Sequence, residues 1–231
     1  MTISVGMSGI LASLLRSGTR GLAAVPAALC AEVLEVTGIA VSVLMSGGAQ
    51  EMLWRTDGVS AQLDDLQFTL GEGPIVDVAA SGELVLEPEL SAVPWQRWPV
   101  FTPAALELGV RALFAVPLQI GAIRLGVLMA YREASGPLGA AVLEDLLMFA
   151  DAVTEALLGR GGAGSPQWPA DLPSGYRAEI HQATGMISVQ LSVTQAEALI
   201  RLRAHAFSHR RSLAEVAADV VARRLRFDAD T

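Results

Sequence analysis

Between residues 201 and 211 the chain gathers six side chains able to meet an anion: Arg201, Arg203, His205, His209, Arg210 and Arg211. A guanidinium presents five donors in a flat fork. It can pair with phosphate or stack on a splayed base. Cations near a helix C-terminus also offset the helix dipole, so the same cluster reads equally as a solvated helix end. His205 and His209 stand four apart and can share a helix face. Two imidazoles fall short of a metal site, and no third ligand is in view. The remaining histidine, His181, also lies in the C-terminal part. Arg223, Arg224 and Arg226 form a second cluster at the chain end. Gly185 sits inside a helical pattern, where glycine costs ~1 kcal/mol against alanine. Such a glycine admits a close neighbour, either another helix or a nucleic-acid backbone.

The charge balance singles out this end of the chain. Residues 1–176 hold eight arginines against eighteen acids, and residues 177–227 hold eight arginines against four acids. An acidic body with a basic appendage points to an anionic partner for the appendage alone. The chain has no lysine, which is a composition bias before it is a functional sign.

The elements that must position these residues follow from periodicity. Residues 176–227 read as three helices. Thr194 with Glu197 and Ser212 with Glu215 each form a capping-box signature that starts a helix. The apolar positions behind them are Ile180, Ala183 and Ile187; Ala198, Leu199, Leu202 and Ala206; and Leu213, Val216, Ala217 and Val220. Residues 159–175 are rich in glycine and proline and read as a linker. The preceding 158 residues alternate differently. A helix over 21–37 leads to a strand at 39–45 and a second at 51–55. Helical segments follow at 59–69 and 75–80, with a short strand at 84–86. A proline-rich loop over 88–103 leads to a helix at 103–109. Strands at 112–119 and 123–132 and a long helix at 138–158 complete this part. This order fits an α+β domain with a central antiparallel sheet backed by helices, joined to a small all-α three-helix bundle.

Within the first domain, Trp54, Trp95, Trp98, Phe101, Phe114 and Met129 could line a pocket or serve as core, and Asp77 could face a ligand beside the Gly-Glu-Gly-Pro turn at 71–74. No histidine falls in this part, and Cys30 is the lone cysteine of the chain, read as a buried helical residue. Haem ligation by histidine, bilin attachment by a loop cysteine and thiol chemistry therefore lack their residues, and no cofactor or metal is expected. No phosphate-binding loop, serine-hydrolase elbow or zinc-protease motif occurs, which points away from an enzyme.

Mean hydropathy is +0.45. The longest apolar candidate, 110–131, is broken by Arg111, Pro117, Gln119 and Arg124. It does not read as a membrane span. Arg16 and Arg20 follow the N-terminal apolar stretch rather than precede it, so no signal peptide and a cytoplasmic location are expected.

The segments HQATGMI (181–187), ALIRLRAHA (198–206) and RSLAEVA (211–217) resemble the ANTAR domain. Ala183, Gly185, Ala196, Leu202, Arg203, Ala206, Leu213, Val216 and Ala217 fall in register with that family over about fifty residues. Thr184 stands where the family usually has lysine, and Arg210 where asparagine is expected. LQFTLGEGP (66–74), the strand from Ala112 and LGVLMAY (125–131) look like the GAF domains that precede ANTAR domains in actinobacteria. The resemblance implies a sensor domain over 1–158 with an unidentified small-molecule effector. It also implies an RNA-binding domain over 176–231 that binds RNA hairpins as a homodimer in transcription antitermination. The RNA contacts it implies are Thr184, Gly185, Arg201, Arg203, His205, His209, Arg210 and Arg211. Two other readings compete with it. The turn at 208–212 also suits a DNA-binding helix-turn-helix, and a bundle that only binds protein would show no salt-dependent affinity for nucleic acid.

Overall fold

The inner strands of the central sheet alternate between two apolar faces, and this is what makes the first domain a three-layer structure. Along β5 (Ile123–Arg132), Val127, Met129 and Tyr131 point one way, and Leu128 and Ala130 the other. Along β4 (Ala112–Ile120), Ala112, Phe114, Val116 and Leu118 share a face opposite to Leu113 and Ala115. With β1 (Gly38–Leu44), β2 (Gln50–Arg55) and β3 (Val85–Glu87), these strands form a five-stranded sheet in the order β2-β1-β5-β4-β3. All four pairings are antiparallel.

The chain is seen in a computed structural model that describes residues 4–17, 22, 25–45, 50–158 and 175–228. One face of the sheet is covered by α1 (Val5–Ser17), α2 (Ala27–Val33) and α6 (Ala140–Leu158), with Met7, Leu14, Cys30, Leu146, Phe149 and Val153 in the shared core. The other face carries α3 (Gly58–Leu70), α4 (Pro74–Ser81) and α5 (Phe101–Glu107), packed through Leu63, Ile75, Val78, Trp98 and Phe101. The α2 helix is shorter than the 21–37 pattern suggests: Glu35 takes a left-handed φ of 49° and turns the chain into β1. The lone cysteine is buried, and burial pushes its thiol up to about 12, so it is a packing residue.

The turn Gly71-Glu72-Gly73-Pro74 has a clear logic. Gly71 caps α3 in the left-handed region, and Gly73 adopts φ 127° against the buried Gln67, whose side-chain oxygen accepts from the Ile75 amide at 2.7 Å. Pro74 then starts α4, where its missing N–H is no loss. The Glu72 carboxylate accepts from the amides of Val100 and Phe101, both at 2.7 Å, and so holds the start of α5.

The C-terminal residues form α7 (Gly175–Leu191), α8 (Gln195–Ser208) and α9 (Leu213–Val221), as the periodicity suggests. The Ser212 capping box is complete. At Thr194 only half of it forms, because Glu197 turns to Arg201 at 3.2 Å instead of back to its cap. The third helix stops at Val221, short of the 227 expected. Arg223 adopts φ 59°, the chain reverses, and Phe227 returns to the bundle core. The expected linker, apart from Gly175, lies outside the described residues. Among the described residues no helix is long and apolar enough to cross a membrane.

Candidate nucleic-acid interface

The α8–α9 turn is built by its backbone. The amides of His209, Arg210 and Arg211 bond back to the carbonyls of His205, Phe207 and Ala206, at 3.1, 3.1 and 2.9 Å. This closure requires a left-handed residue at Arg210, φ 54°. The position favours glycine or asparagine, which explains in backbone terms why asparagine suits it. Four residues, His209 to Ser212, separate the helices.

Around this turn the outward cations gather. The rings of His205 and His209 stack at 4.0 Å between centroids. Burial, His209 and Arg211, in that order, hold His205 below its usual pKa. Arg211 reaches Asp219 at 2.7 Å, and Arg224 reaches the same carboxylate at 2.7 Å. Both arginines hold that carboxylate below its usual range. Arg210 is exposed, and Arg201 pairs with Glu197 one turn away. These are solvent-facing cations with weak tethers, able to change partner at small cost.

Two candidates lie elsewhere. Thr184 is buried and its hydroxyl donates to the Ile180 carbonyl at 2.8 Å. Arg203 turns away from the outward cluster toward the sensor side, where its Nη2 donates to the Phe68 carbonyl at the end of α3. Gly185 faces open space: a Cβ built there meets nothing within 4 Å, so no packing neighbour in the described chain requires a glycine.

Phe68 is the residue whose role the sequence hides. It belongs to α3, yet its ring is 2% exposed within the core of the C-terminal bundle. Arg177 lies over it at 4.5 Å, Arg203 at 5.5 Å, and the His181 ring meets it edge-on at 5.8 Å. Beside it Asp64 is fully buried. One carboxylate oxygen accepts from Gln50 at 2.8 Å and from the Ser42 hydroxyl, and the other pairs with Arg177 at 2.7 Å. Arg177 also donates to the Gln50 carbonyl at 3.3 Å, and His181 contacts Glu51 at 2.6 Å. The two parts of the chain thus share a polar seam centred on Asp64 and Arg177. Neither a phenylalanine within the 59–69 helical segment nor an arginine outside the basic cluster gives a spacing signal for it.

The proposed pocket residues of the first domain do not converge. Trp54 and Phe114 belong to the face covered by α1 and α6, where Trp54 meets Phe149 edge-on at 6.3 Å. Trp98, Phe101 and Met129 are buried on the opposite face. Asp77 on α4 pairs with Arg97 at 3.2 Å, and Trp95 is 73% exposed. On the Trp98 side, its indole N–H and the Thr102 hydroxyl are buried without a hydrogen-bond partner among the described residues.

Residues 175–221 match the family model of the ANTAR domain. The first domain is similar to the GAF domain of the phosphoenolpyruvate-protein phosphotransferase of Acinetobacter, with TM-score 0.53, 12% identity, and coverage of 69% of this chain and 95% of that one. The GAF domain of a phosphoenolpyruvate-protein phosphotransferase from Coxiella burnetii gives TM-score 0.50, 15% identity, and coverage of 68% and 96%. The chain thus has a domain of GAF fold followed by a segment, 175–221, that matches the ANTAR domain model. No curated protein matches it. Among the described residues no group of three or more histidine, cysteine or acidic side chains could hold a metal.

Proposed function

We propose that this chain is an RNA-binding transcription antiterminator: its ANTAR domain binds hairpin RNA as a homodimer, and its GAF-fold domain senses a small molecule and controls that binding. Residues 1–158 form the sensor, 159–175 the linker and 176–231 the RNA-binding domain. The observation that carries the reading is the ANTAR match over 175–221, together with the display of Arg201, His205, His209, Arg210 and Arg211 around one exposed turn. Guanidinium and imidazole groups there suit phosphates and unpaired loop bases. The open space before Gly185 suits close approach of an RNA backbone.

Control acts through the seam. In the docked arrangement Arg203 is committed to the Phe68 carbonyl and cannot reach RNA. RNA binding with its full cation set then requires the two domains to part. A sensor ligand that favours the open state shifts the population by its differential affinity for the two states. The unpartnered donors of Trp98 and Thr102 support a polar ligand group on that side of the sheet.

The test is a salt titration of full-length protein on a two-hairpin RNA and on duplex DNA. Affinity for the RNA is expected to exceed that for DNA and to fall with salt. Arg210→Ala or Arg211→Ala should each lower the salt slope by about 1 for each phosphate that the arginine neutralises. Preference for duplex DNA would replace this reading with a helix-turn-helix regulator, which the four-residue turn would also suit. Salt-independent or absent binding by both wild type and a seam-opened Asp64→Ala variant would rule out a nucleic-acid role.

A further inference from the structure

The seam is not closed along its whole length. Past Phe68 it widens into a cleft of about 470 Å³. Pockets for small molecules span about 300–1,000 Å³. One wall comes from the GAF-fold domain, with Leu70, Glu72 and Val100, and the other from the ANTAR domain, with Arg203, Phe207 and Arg211. The cleft is therefore complete only while the domains are docked.

Its chemistry is unbalanced in one direction. Arg203 pairs with no carboxylate among the described residues; one donor goes to the Phe68 carbonyl, and its Nε–H is buried with no partner. Burial alone pulls its pKa down to about 10, so the group remains a cation at neutral pH. A cation drawn partly out of water without a counter-ion is costly, and here the carbonyl end of α3 and the face of the Phe68 ring offset it. Arg211 adds a second guanidinium, tethered to Asp219. The acid on the opposite wall, Glu72, is held by two backbone amides at the start of α5. At the mouth, Phe207 is 77% exposed and Val100 44% exposed, leaving apolar surface with no cover. A half-buried cation without a carboxylate partner, set among bare apolar walls, describes the complement of an amphipathic anion.

We propose that this interdomain cleft binds a small anion with an apolar body, a carboxylate or phosphate monoester of an acyl or aromatic group, and that the bound anion holds the two domains docked. Arg203 takes the anionic head, and Leu70, Val100 and Phe207 take the body. The ligand binds the docked state only, so free ligand at 100 times its Kd raises the docked-to-open ratio about a hundredfold. Because Arg203 would serve either the ligand or RNA, the ligand opposes RNA binding. That last consequence rests on the function proposed above; the binding itself does not.

The experiment uses the full chain, with octanoate and octyl phosphate as probes and 1-octanol as the uncharged control. Calorimetry is expected to show saturable binding of at least one anion, tenfold or more tighter than the alcohol. Arg203→Met, which removes the charge and keeps the unbranched stem, should erase the difference between anion and alcohol while circular dichroism stays unchanged. Phe207→Ser should weaken anion and alcohol alike. Asp64→Ala, which opens the seam, should lose anion binding while the isolated helices persist by circular dichroism. Equal binding of octanoate and 1-octanol, undiminished binding by Arg203→Met, or no saturable binding of either anion would overturn the proposal. In a second arm, saturating probe should weaken RNA binding of the wild type tenfold or more. If no form binds RNA, the functional reading fails while the calorimetric result stands; if RNA binds and ignores a probe that calorimetry shows bound, the docked state is not what the anion holds and this proposal fails alone.

Discussion

The arginines of the ANTAR domain fall into two sets with opposite physics. Arg177 and Arg203 face the GAF-fold domain, the first buried and the second half-buried, and have partners fixed by α3 and β2. Arg201, Arg210 and Arg211 face solvent with intradomain tethers or none described. The first set is expensive to disturb and specifies how two domains meet; the second is cheap to disturb and free to change partner. Both sets look alike in composition. What separates them is whether the chain supplies a second surface, and that depends on a docking geometry no local pattern encodes.

The largest expected effect belongs to the buried set. Asp64→Ala leaves the buried Arg177 guanidinium without its closest carboxylate, with only the more exposed Asp65 at 3.4 Å, and removes an acceptor from Ser42 and Gln50. Breaking one side of such a pair costs about 3–5 kcal/mol. Hydrogen exchange of α3 and α7 should rise sharply, and denaturation should resolve two transitions as the domains uncouple. The double change Asp64→Leu with Arg177→Met should recover most of the loss, since a well-packed apolar pair can replace a buried ion pair. A cost below about 1 kcal/mol for Asp64→Ala, the level of surface pairs, would erase the distinction between the two sets.

The next effect lies in the exposed set's supports. Ser212→Ala removes a complete capping box at the start of α9, and Thr194→Ala removes a cap whose Glu197 has left for Arg201. Loss of a serine or threonine cap costs about 1 kcal/mol. Ser212→Ala should cost more than Thr194→Ala, measured by urea denaturation of the full chain. Equal costs would mean that the reciprocal Glu215 bond contributes nothing.

These caps also show how far the sequence reads. Both signatures were visible, because a cap depends on residues three apart. The strands β4 and β5 were visible as local runs for the same reason, and so was the cluster of cations around 201–211. The end of α9 was not, since the reversal at Arg223 is driven by Phe227 finding the core, a tertiary gain that periodicity cannot register. Phe68 and Asp64 were missed because in sequence they are an apolar and an acidic residue of an amphipathic helix. Their function appears only when a segment more than a hundred residues later packs against them. Of the candidate contacts, Arg203 was legible as a cation but not as one turned inward.

Gly185 sharpens the comparison from the helix interior. Its space is open, so Gly185→Ala should stabilise α7 by ~1 kcal/mol through propensity alone. If RNA approaches the backbone there, the same change should weaken RNA binding while raising Tm. A stability gain with unchanged RNA affinity would remove Gly185 from the interface and leave the exposed cations to carry it.

The smallest effect is a pH dependence carried by His205, which stands beside the exposed set. Folding lowers the pKa of His205, through burial first and then through His209 and Arg211, from the ordinary 6.5. The unfolded chain therefore takes the proton first. Stability from this group is present above pH 6.5 and declines as pH falls from there toward the lowered folded value. The carboxylates of Glu215 and Asp219 are also held low, by the Ser212 cap and by Arg211 with Arg224, but their stabilisation is lost only at more acidic pH. The two windows separate the histidine from the acids. RNA should reverse the sign in the upper window. A phosphate beside His205 favours the charged ring, so RNA affinity should rise as pH drops below 6.5 even while the free protein loses stability. His205→Gln should flatten both slopes. If RNA affinity is flat over this window in the wild type, the stacked histidine pair lies outside the RNA contact, and the exposed arginines alone define the surface.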